Sequence, residues 1–414
     1  MLLLGLVGTA HGAERHWTRL TDLLRQARLV VAGTVTRSAS LDDGRVVVAS
    51  VRPDRVLKGD AGPGEVAVVE EHDLPSSPTL LPAGQHVVAF LVRAPHTSSL
   101  ARVLPPGPTY WALLDGPMGV LASPSAETIR EADAIVGRWV EMATDTTGDA
   151  AARAAGLRAL AFDEIAAAHQ VVVEDGAAAV GALPDLADTL SEPEQHRLQD
   201  ALERADLPPR VRVAVIQAVA AQHLTTLVPA LRTLHDPPPA VLAASWQALR
   251  RLGAPPTAAE LAPFLRSPTP GVRAVAAPAM LTAQSAAAVP QVERLALTDR
   301  DASVGAAAAT ALGATKVPGG LTALERIYTK TSSGEVRLAA GNAIVAWGGD
   351  DAADALARLA FAAPPGAQKW AVTLLFALGR KQDDPRVVRI RTTHPDPSIR
   401  DLAEHGFDLG SEHH

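Results

Sequence analysis

The sequence predicts a multidomain α+β protein in which a small antiparallel β-barrel is followed by an α-solenoid. From Arg28 to Ser123, the chain contains short segments in which apolar and polar residues alternate. From Leu207 onward, one sequence pattern, a small residue followed by a large apolar residue, recurs every 30 to 32 residues. The composition agrees, because an alanine-rich chain with only 3% aromatic residues favours closely packed helices over a large aromatic core.

Six segments of the N-terminal part alternate apolar and polar residues between turns rich in Gly, Pro and Asp. They span 28–36, 44–59, 65–70, 85–92, 109–114 and 118–123. Six short strands at this spacing are typical of a closed or nearly closed barrel. A helix is predicted before them over 16–27, where Leu20, Leu23 and Leu24 share one stripe. Another is predicted after them over 125–142, with Ser125 as its N-cap.

The order ARLVVAGTV, VRPDRVLKG, EVAVVE and LPAGQHVVAFLV resembles the netrin-like domain of exported bacterial proteins, over about a quarter of the chain. That resemblance implies an OB-type barrel related to the inhibitory domain of tissue inhibitors of metalloproteases. Inhibitory members chelate the protease zinc through an N-terminal Cys. This chain has no Cys, so a protease-inhibitor-like role would have to act through the barrel in another way.

Nucleic acid is not an expected partner. OB barrels that bind it combine aromatic residues with a basic groove. Here the N-terminal part is acidic, and Tyr110 and Trp111 stand together in one segment. The net charge of −7 is uneven, but the 21 Lys and Arg from Leu207 onward only slightly outnumber 17 Asp and Glu, far from a nucleic-acid footprint.

The C-terminal pattern can be aligned on one anchor residue per repeat. The anchors are Val211, Val241, Val272, Val304, Val336, Gln368 and Ile399. The residues seven positions later are Ala218, Ala248, Ala279, Ala311, Ala343, Leu375 and Gly406, and a large apolar residue follows each. Second apolar runs span 224–234, 257–266, 287–297, 319–330, 350–361 and 384–394. Two helices of about twelve residues, repeated in this way, predict an α-solenoid.

The small residue is expected where neighbouring helices approach closely, so Ala343→Leu should destabilise the protein by about 1–3 kcal/mol. The second helices are expected to line the concave face, which is the usual partner-binding surface of such arrays. One stretch departs from the pattern. Residues 150–160 fit the pattern, but residues 164–183 do not, which predicts a longer or distorted helix there.

The period, the small residue and a basic residue after the anchor together resemble HEAT repeats of the short bacterial kind, called HEAT-like or bilin-lyase-type repeats, from Leu207 to Leu409. The resemblance implies a scaffold that binds a protein or peptide partner. Some relatives of these repeats act on bound cofactors, so a bilin-lyase-like or cofactor-maturation enzyme remains an alternative.

The basic residues after the anchors lie near helix N-termini, against the helix dipole. They are Arg212, Arg273, Arg337, Lys369 and Arg400. Two interpretations are open: an inter-repeat ladder with turn carboxylates such as Asp301 and Asp396, or a row of anion-binding guanidiniums.

A second group of basic residues lies near the C-terminal end and comprises Arg380, Lys381, Arg386, Arg389, Arg391 and Arg400. It is interpreted either as a solvated terminal repeat or as a docking patch for an acidic partner or the chain's own barrel.

No catalytic, cofactor-binding or metal site is predicted, and binding residues stay unassigned. The only close histidine groups are His11 with His16 and His413 with His414. The histidines scattered through the helical part are His169, His196, His223, His235, His394 and His405. The sequence contains no nucleophile elbow, phosphate loop or calcium loop. We therefore expect a non-enzymatic protein without a cofactor.

The first thirteen residues, MLLLGLVGTAHGA, resemble a secretory signal whose basic start is missing. They predict a periplasmic or secreted protein, or a cytoplasmic one if the segment is not a signal.

The expected domains are a signal peptide over 1–13, the barrel over 14–145, irregular helices and first repeats over 146–206, and six to seven repeats over 207–410. No later segment has the length of a membrane span. The oligomeric state is left open.

Overall fold

The computed structural model of the protein describes residues 20–406, apart from 73, 75–77, 96, 145–148, 185 and 235–236. The predicted signal peptide therefore lies outside the described residues, as do both close histidine groups, His235 and the end of the last repeat. Contacts between residues divide the chain into two compact units, Met1–Ala230 and Leu231–His414.

The first unit contains a six-stranded sheet, and each of the six predicted segments forms one strand. The strands are β1 (Leu29–Leu41), β2 (Val46–Lys58), β3 (Val66–Glu71), β4 (His86–Arg93), β5 (Tyr110–Leu113) and β6 (Val120–Ser123). Strand β1 pairs with β2 and β4, β2 pairs with β3, and β4 pairs with β5 and β6, all antiparallel.

The prediction of an antiparallel sheet is wrong for one pairing. Strands β3 and β5 run parallel, with Val68 opposite Trp111. The pairings lead from β1 through β2, β3, β5 and β4 back to β1. Because five strands take part in this circuit, their directions cannot alternate all the way round, and one pairing has to be parallel.

The alternation of apolar and polar residues that predicted the strands also forms the core of the sheet. Every second residue of the strands faces one cluster, which includes Leu29 and Val31 of β1 and Val87 and Ala89 of β4. Gly33 in β1 marks a close approach between strands, since a Cβ there would lie 2.2 Å from the Arg52 carbonyl oxygen of β2. The register of β1 and β2 shifts beside it, as expected at a β-bulge.

The helices of the first unit follow or flank the sheet. They are α1 (Leu20–Gln26), α2 (Ser98–Val103), α3 (Ala126–Thr144), α4 (Ala150–Ala166), α5 (Gln170–Gly181), α6 (Leu186–Thr189), α7 (Glu192–Glu203) and α8 (Pro209–Ala221). Helix α9 (Val228–Arg232) spans the division between the units. The predicted N-cap of α3 is confirmed, because the Ser125 hydroxyl accepts from the Thr128 amide at 3.3 Å.

The longer or distorted helix expected over 164–183 is not formed. Helix α4 ends at Ala166, and α5 starts after His169, whose Nδ1 accepts from the Val171 amide at 3.3 Å. His169 thus caps a separate helix, and Gly176 permits the two helices to pack closely. A Cβ on Gly176 of α5 would lie 2.6 Å from the Glu164 Cβ, so a larger residue there would push the two helices apart.

The second unit consists of helices that alternate between two roles. The first helices, which carry the anchors, are α10 (Pro239–Arg251), α12 (Pro270–Gln284), α14 (Ala302–Thr315), α16 (Gly334–Trp347), α18 (Pro365–Ala377) and α20 (Pro397–His405). The second helices are α11 (Ala258–Leu261), α13 (Val289–Thr298), α15 (Gly320–Lys330), α17 (Gly349–Ala362) and α19 (Pro385–Thr393). Several begin with Pro, which suits the first helical position because its missing N–H has no partner to lose.

Helices of the same role pack on one another along this unit. Helix α12 contacts α14, α14 contacts α16, and the second helices α13, α15, α17 and α19 contact in the same succession. The predicted seam is present: Ala311 and Ala343 are buried, and a Cβ on Gly313 of α14 would lie 2.7 Å from the Ala343 Cβ of α16. Small residues therefore permit the close approach of these two helices.

Two second helices are much shorter than the predicted twelve residues. In α9 and α11 only five and four residues are α-helical, and a 3-10 helix lies beside each. Pro263 explains the interruption after α11. Proline has no amide proton for the bond to residue 259, and its ring would clash with that carbonyl in a continuing α-helix.

Candidate binding face of the second unit

The arginines that follow the anchors donate to backbone carbonyls at the end of the preceding helix. Arg273 donates to Ser267 O at 2.8 Å, Arg337 to Tyr328 O at 3.0 Å, and Arg400 to His394 O at 2.6 Å. In the first unit, Arg212 donates to Leu202 O at 3.2 Å in the same way. These carbonyls carry the negative end of a helix dipole, which compensates for a cation near a helix N-terminus.

Among the described residues, the expected ladder with turn carboxylates is therefore found at only one of these four arginines, Arg273, and the other three are held by backbone carbonyls. Asp301 and Asp396 act as N-caps and accept from the Ser303 and Ser398 amides. The carboxylate that Arg273 reaches is Asp299, through two bonds of 2.8 Å that lower the pKa of that carboxyl. Lys369, the fifth member of the predicted row, is exposed.

A second row of ion pairs, absent from the sequence prediction, joins the second helices. Arg326 of α15 binds Glu293 of α13 through bonds of 2.7 and 2.6 Å. Arg358 of α17 binds Glu325 of α15 at 3.1 and 2.7 Å. Each arginine thus reaches one repeat back along the second-helix face. The 32-residue spacing of Arg294, Arg326 and Arg358 is visible in the sequence and could have revealed this row.

Two of the six residues in the predicted C-terminal basic patch are paired with carboxylates. Arg386 pairs with Asp354, and Arg380 lies 3.0 Å from an Asp350 oxygen. The Arg389 guanidinium lies 5.6 Å from the ring centroid of Phe361, where a cation–π contact is favourable. Mixed charge on a terminal repeat agrees with the interpretation as a solvated end, because capping repeats need a polar outer surface.

One groove opens on the second-helix face, between the segment that follows α11 and helix α13. Its volume is about 340 Å³. It is lined by Leu265, Arg266, Gln291, Arg294, Leu295 and Thr298, among others. Both arginines are exposed, and neither has a carboxylate within ion-pair distance among the described residues. The break at Pro263 leaves this space, since α11 is too short to fill it.

A second groove, of about 330 Å³, lies between the first helices α16 and α18. Leu338 and Trp370, which are 45% and 39% exposed, both line it. They occupy equivalent positions, two residues after the anchors Val336 and Gln368. Exposed apolar side chains that share a groove are a common feature of interaction surfaces.

The buried histidine of the second unit has structural partners. His394 Nε2 lies 2.9 Å from the Ala360 carbonyl oxygen, and its Nδ1 accepts from the Asp396 amide at 3.1 Å. Across the part of the chain that the structure describes, no three His, Asp or Glu side chains gather as a metal site would require. None of the helices in the same residues is both long and apolar enough to cross a membrane.

The aromatic pair of the first unit is engaged within its own sheet. Trp111 is buried, with the Arg93 guanidinium 4.4 Å from its ring centroid. The Tyr110 hydroxyl donates to the Pro105 carbonyl oxygen at 2.9 Å. Neither residue forms the open stacking platform that single-stranded nucleic acid requires.

Comparison with known protein families matches one stretch of the chain. Residues 258–345 match the family model of HEAT repeats, and this stretch runs from α11 to α16. A search of curated proteins found no significant match to the chain. The matched stretch and the helices around it show that the C-terminal half of the chain contains a HEAT-like repeat region.

Proposed function

We propose that the protein is a non-enzymatic, exported interaction scaffold that binds a protein or peptide partner through the second-helix face of an α-solenoid. The observation that carries the proposal is the HEAT-repeat match over 258–345, because HEAT repeats generally mediate protein interaction. The ion pairs of Arg326 and Arg358 support the same face, since they hold charged side chains in a defined pattern before a partner arrives.

The solenoid itself is part of this proposal. Its support is the succession of contacts in the second unit, where first helices pack on first helices and second helices on second helices. Stacking of this kind buries a continuous core that no single hairpin could bury alone. An array stabilised in this way leaves one long face available to a partner.

The N-terminal sheet is, in the same proposal, a closed barrel of the OB type. The circuit of pairings from β1 back to β1 supports closure, since a sheet that closes on itself has no free edge between β1 and β4.

The proposal that the protein is exported rests on the likeness of residues 1–13 to a secretory signal. N-terminal sequencing of the protein from its native host tests it, and a chain that retains Met1 would contradict it.

Site-specific photo-cross-linking tests the binding face. A photo-reactive amino acid is placed at Gln291 of α13 or Thr322 of α15, both exposed on second helices. Thr310, exposed on the first helix α14, is the matched control. In extracts of the native host's cell envelope, we expect one protein to be cross-linked at both second-helix positions and not at Thr310. Cross-linking only at Thr310, or purification of a coloured or metal-bearing protein, would contradict the proposal.

A further inference from the structure

The ion-pair row on the second helices lacks one acidic member. Arg294, Arg326 and Arg358 occupy equivalent positions on α13, α15 and α17, 32 residues apart. Arg326 and Arg358 each bind the glutamate one repeat back, Glu293 or Glu325. The residue 32 positions before Glu293 is Leu261, which is fully buried. Arg294 thus has the position of its two counterparts without their carboxylate.

The missing carboxylate coincides with an open groove. Gln291, Arg294, Leu295 and Thr298 are spaced so that they share one face of α13, and all four line the groove between α13 and the segment after α11. Arg266 lines it from the other side. A side chain from outside the chain can therefore reach Arg294 from the side on which its counterparts receive a glutamate.

The acidic groups around the groove are already engaged. Glu260 pairs with Arg232, Glu293 with Arg326, and Asp299 with Arg273. The two arginines in the groove therefore keep an uncompensated positive charge among the described residues. Complementary charge of this kind selects the sign of a partner's charge and speeds its association.

We propose that this groove binds an acidic segment of the partner polypeptide, whose carboxylate takes the place of the missing glutamate beside Arg294 and Arg266. A neighbouring apolar side chain of the segment lies on Leu265 and Leu295, and Gln291 and Thr298 hydrogen-bond its backbone. This inference rests on the proposed scaffold function and names the chemistry that the partner must have.

The composition of the groove favours a polypeptide over nucleic acid. Two arginines are too few for a phosphate backbone, which needs a run of cations. The apolar surface of Leu265 and Leu295 suits a side chain next to the carboxylate. An arginine can also receive a carboxylate through two parallel bonds, as Arg326 does within the row.

Fluorescence anisotropy with the full chain and a defined probe tests the proposal. The probe is a fluorescein-labelled peptide of sequence Gly-Leu-Glu-Asp-Leu-Glu-Gly, and the comparison peptide has Gln and Asn at the acidic positions. We expect the acidic peptide to bind about tenfold more tightly at low salt, and this advantage to shrink as salt is raised. Equal binding of the two peptides would overturn the proposal.

Variants identify the groove. Arg294→Gln should weaken binding of the acidic peptide about tenfold, and adding Arg266→Gln should weaken it further, while Arg294→Lys should retain part of the affinity. Arg251→Gln is the matched control, because Arg251 is exposed on α10 and does not line the groove. Binding by the double variant that equals binding by the control would overturn the proposal. Displacement of the peptide by an equal concentration of succinate would also overturn it, since the groove would then prefer small acids.

The result can be separated from the fate of the scaffold proposal. If cross-linking at Thr322 captures a partner while the acidic and neutral peptides bind alike, the scaffold stands and the groove proposal fails. If the acidic peptide binds through Arg294 but no protein is cross-linked on the second helices, the preference of the groove for acidic peptides stands and the scaffold proposal fails.

Discussion

Four donors converge on the carboxylate of Glu194, the N3 residue of α7. Arg158 of α4 donates through Nε at 2.6 Å and through a second nitrogen at 2.7 Å. The Ser191 amide donates at 2.8 Å, as in a capping box, and the Ser191 hydroxyl donates at 2.7 Å. The Arg158 hydrogen bonds are the main reason why the pKa of Glu194 falls from 4.5 to about 2.

This depressed pKa predicts a stability change in acid. The carboxylate stabilises the folded state fully above pH 4.5, and that contribution is lost as the pH falls from 4.5 through about 2. Glu194→Gln should lower the free energy of unfolding at pH 7 by about 2 kcal/mol and flatten its dependence on pH below 4.5. Urea unfolding followed by circular dichroism at pH 7, 4.5 and 3 measures both effects.

Glu192→Gln is the control for this prediction, because Glu192 is exposed in the same first turn of α7. We expect a change of less than about 0.5 kcal/mol at pH 7 for that variant. If the free energy of unfolding of the Glu194→Gln variant fell as steeply below pH 4.5 as that of the unaltered protein, Glu194 would not be the source of this pH dependence.

Tyr328 links two repeats through its hydroxyl. The side chain is fully buried in α15, its hydroxyl donates to the Ala367 carbonyl oxygen of α18 at 2.8 Å, and burial raises the pKa of the phenol. Tyr328→Phe would leave that carbonyl without this partner, so we expect a loss of about 1–2 kcal/mol in the free energy of unfolding. Tyr110→Phe, at the chain's other tyrosine, should cost much less because its bond to Pro105 is exposed. Equal losses would contradict this account.

The partners of single residues were the part of the structure least accessible from the sequence. The position of the basic residue after each anchor was visible, but Arg273, Arg337 and Arg400 bind carbonyls whose location depends on how the preceding helix ends. Likewise, Glu293 and Arg326 are 33 residues apart, and only stacking of the second helices brings them together.

Among the elements, Gly313 of α14 offers the clearest test of helix stacking. A Cβ at this position would lie 2.7 Å from the Ala343 Cβ and 2.9 Å from the Ala343 carbonyl oxygen. Alanine is the better helix former by about 1 kcal/mol, so helix propensity alone predicts stabilisation. Because the contact is with backbone of α16, we expect Gly313→Ala instead to destabilise by about 1–3 kcal/mol.

The control for this substitution is Gly334→Ala at the start of α16. A Cβ there would meet nothing within 4 Å, so the variant should be neutral or slightly stabilised. Thermal unfolding of both variants gives the comparison. Gly313→Ala with a midpoint equal to or above that of Gly334→Ala would contradict the packing of α14 on α16.

The elements themselves were predicted well wherever periodicity dominates. All six strands and the first helices follow directly from alternation and from the repeated pattern. The predictions that failed concern helix boundaries, where a local feature overrides the apolar periodicity. Pro263 interrupts a run that otherwise looks helical, and His169 starts a new helix, α5, inside a run that has no Gly or Pro before it. Helix α2 is short and has no apolar period, so the sequence did not predict it.

At the scale of the whole molecule, the two units are organised in different ways. The first is organised by a circuit of strand pairings with a buried core. The second is organised by contacts between successive helices of the same role. In an array of this kind each repeat is stabilised by its neighbours, so stability is distributed along the chain instead of residing in one central core.

The most direct test of this account is the deletion of one whole repeat, residues 302–333, which removes α14 and α15. If the second unit is the proposed solenoid, its neighbours can restack. The shortened chain should keep a helical circular dichroism spectrum and unfold cooperatively, whereas deletion of half a repeat, residues 302–317, should abolish cooperative unfolding. Loss of cooperative unfolding in both deletions alike would contradict the central claim that this region is built from repeats that support one another.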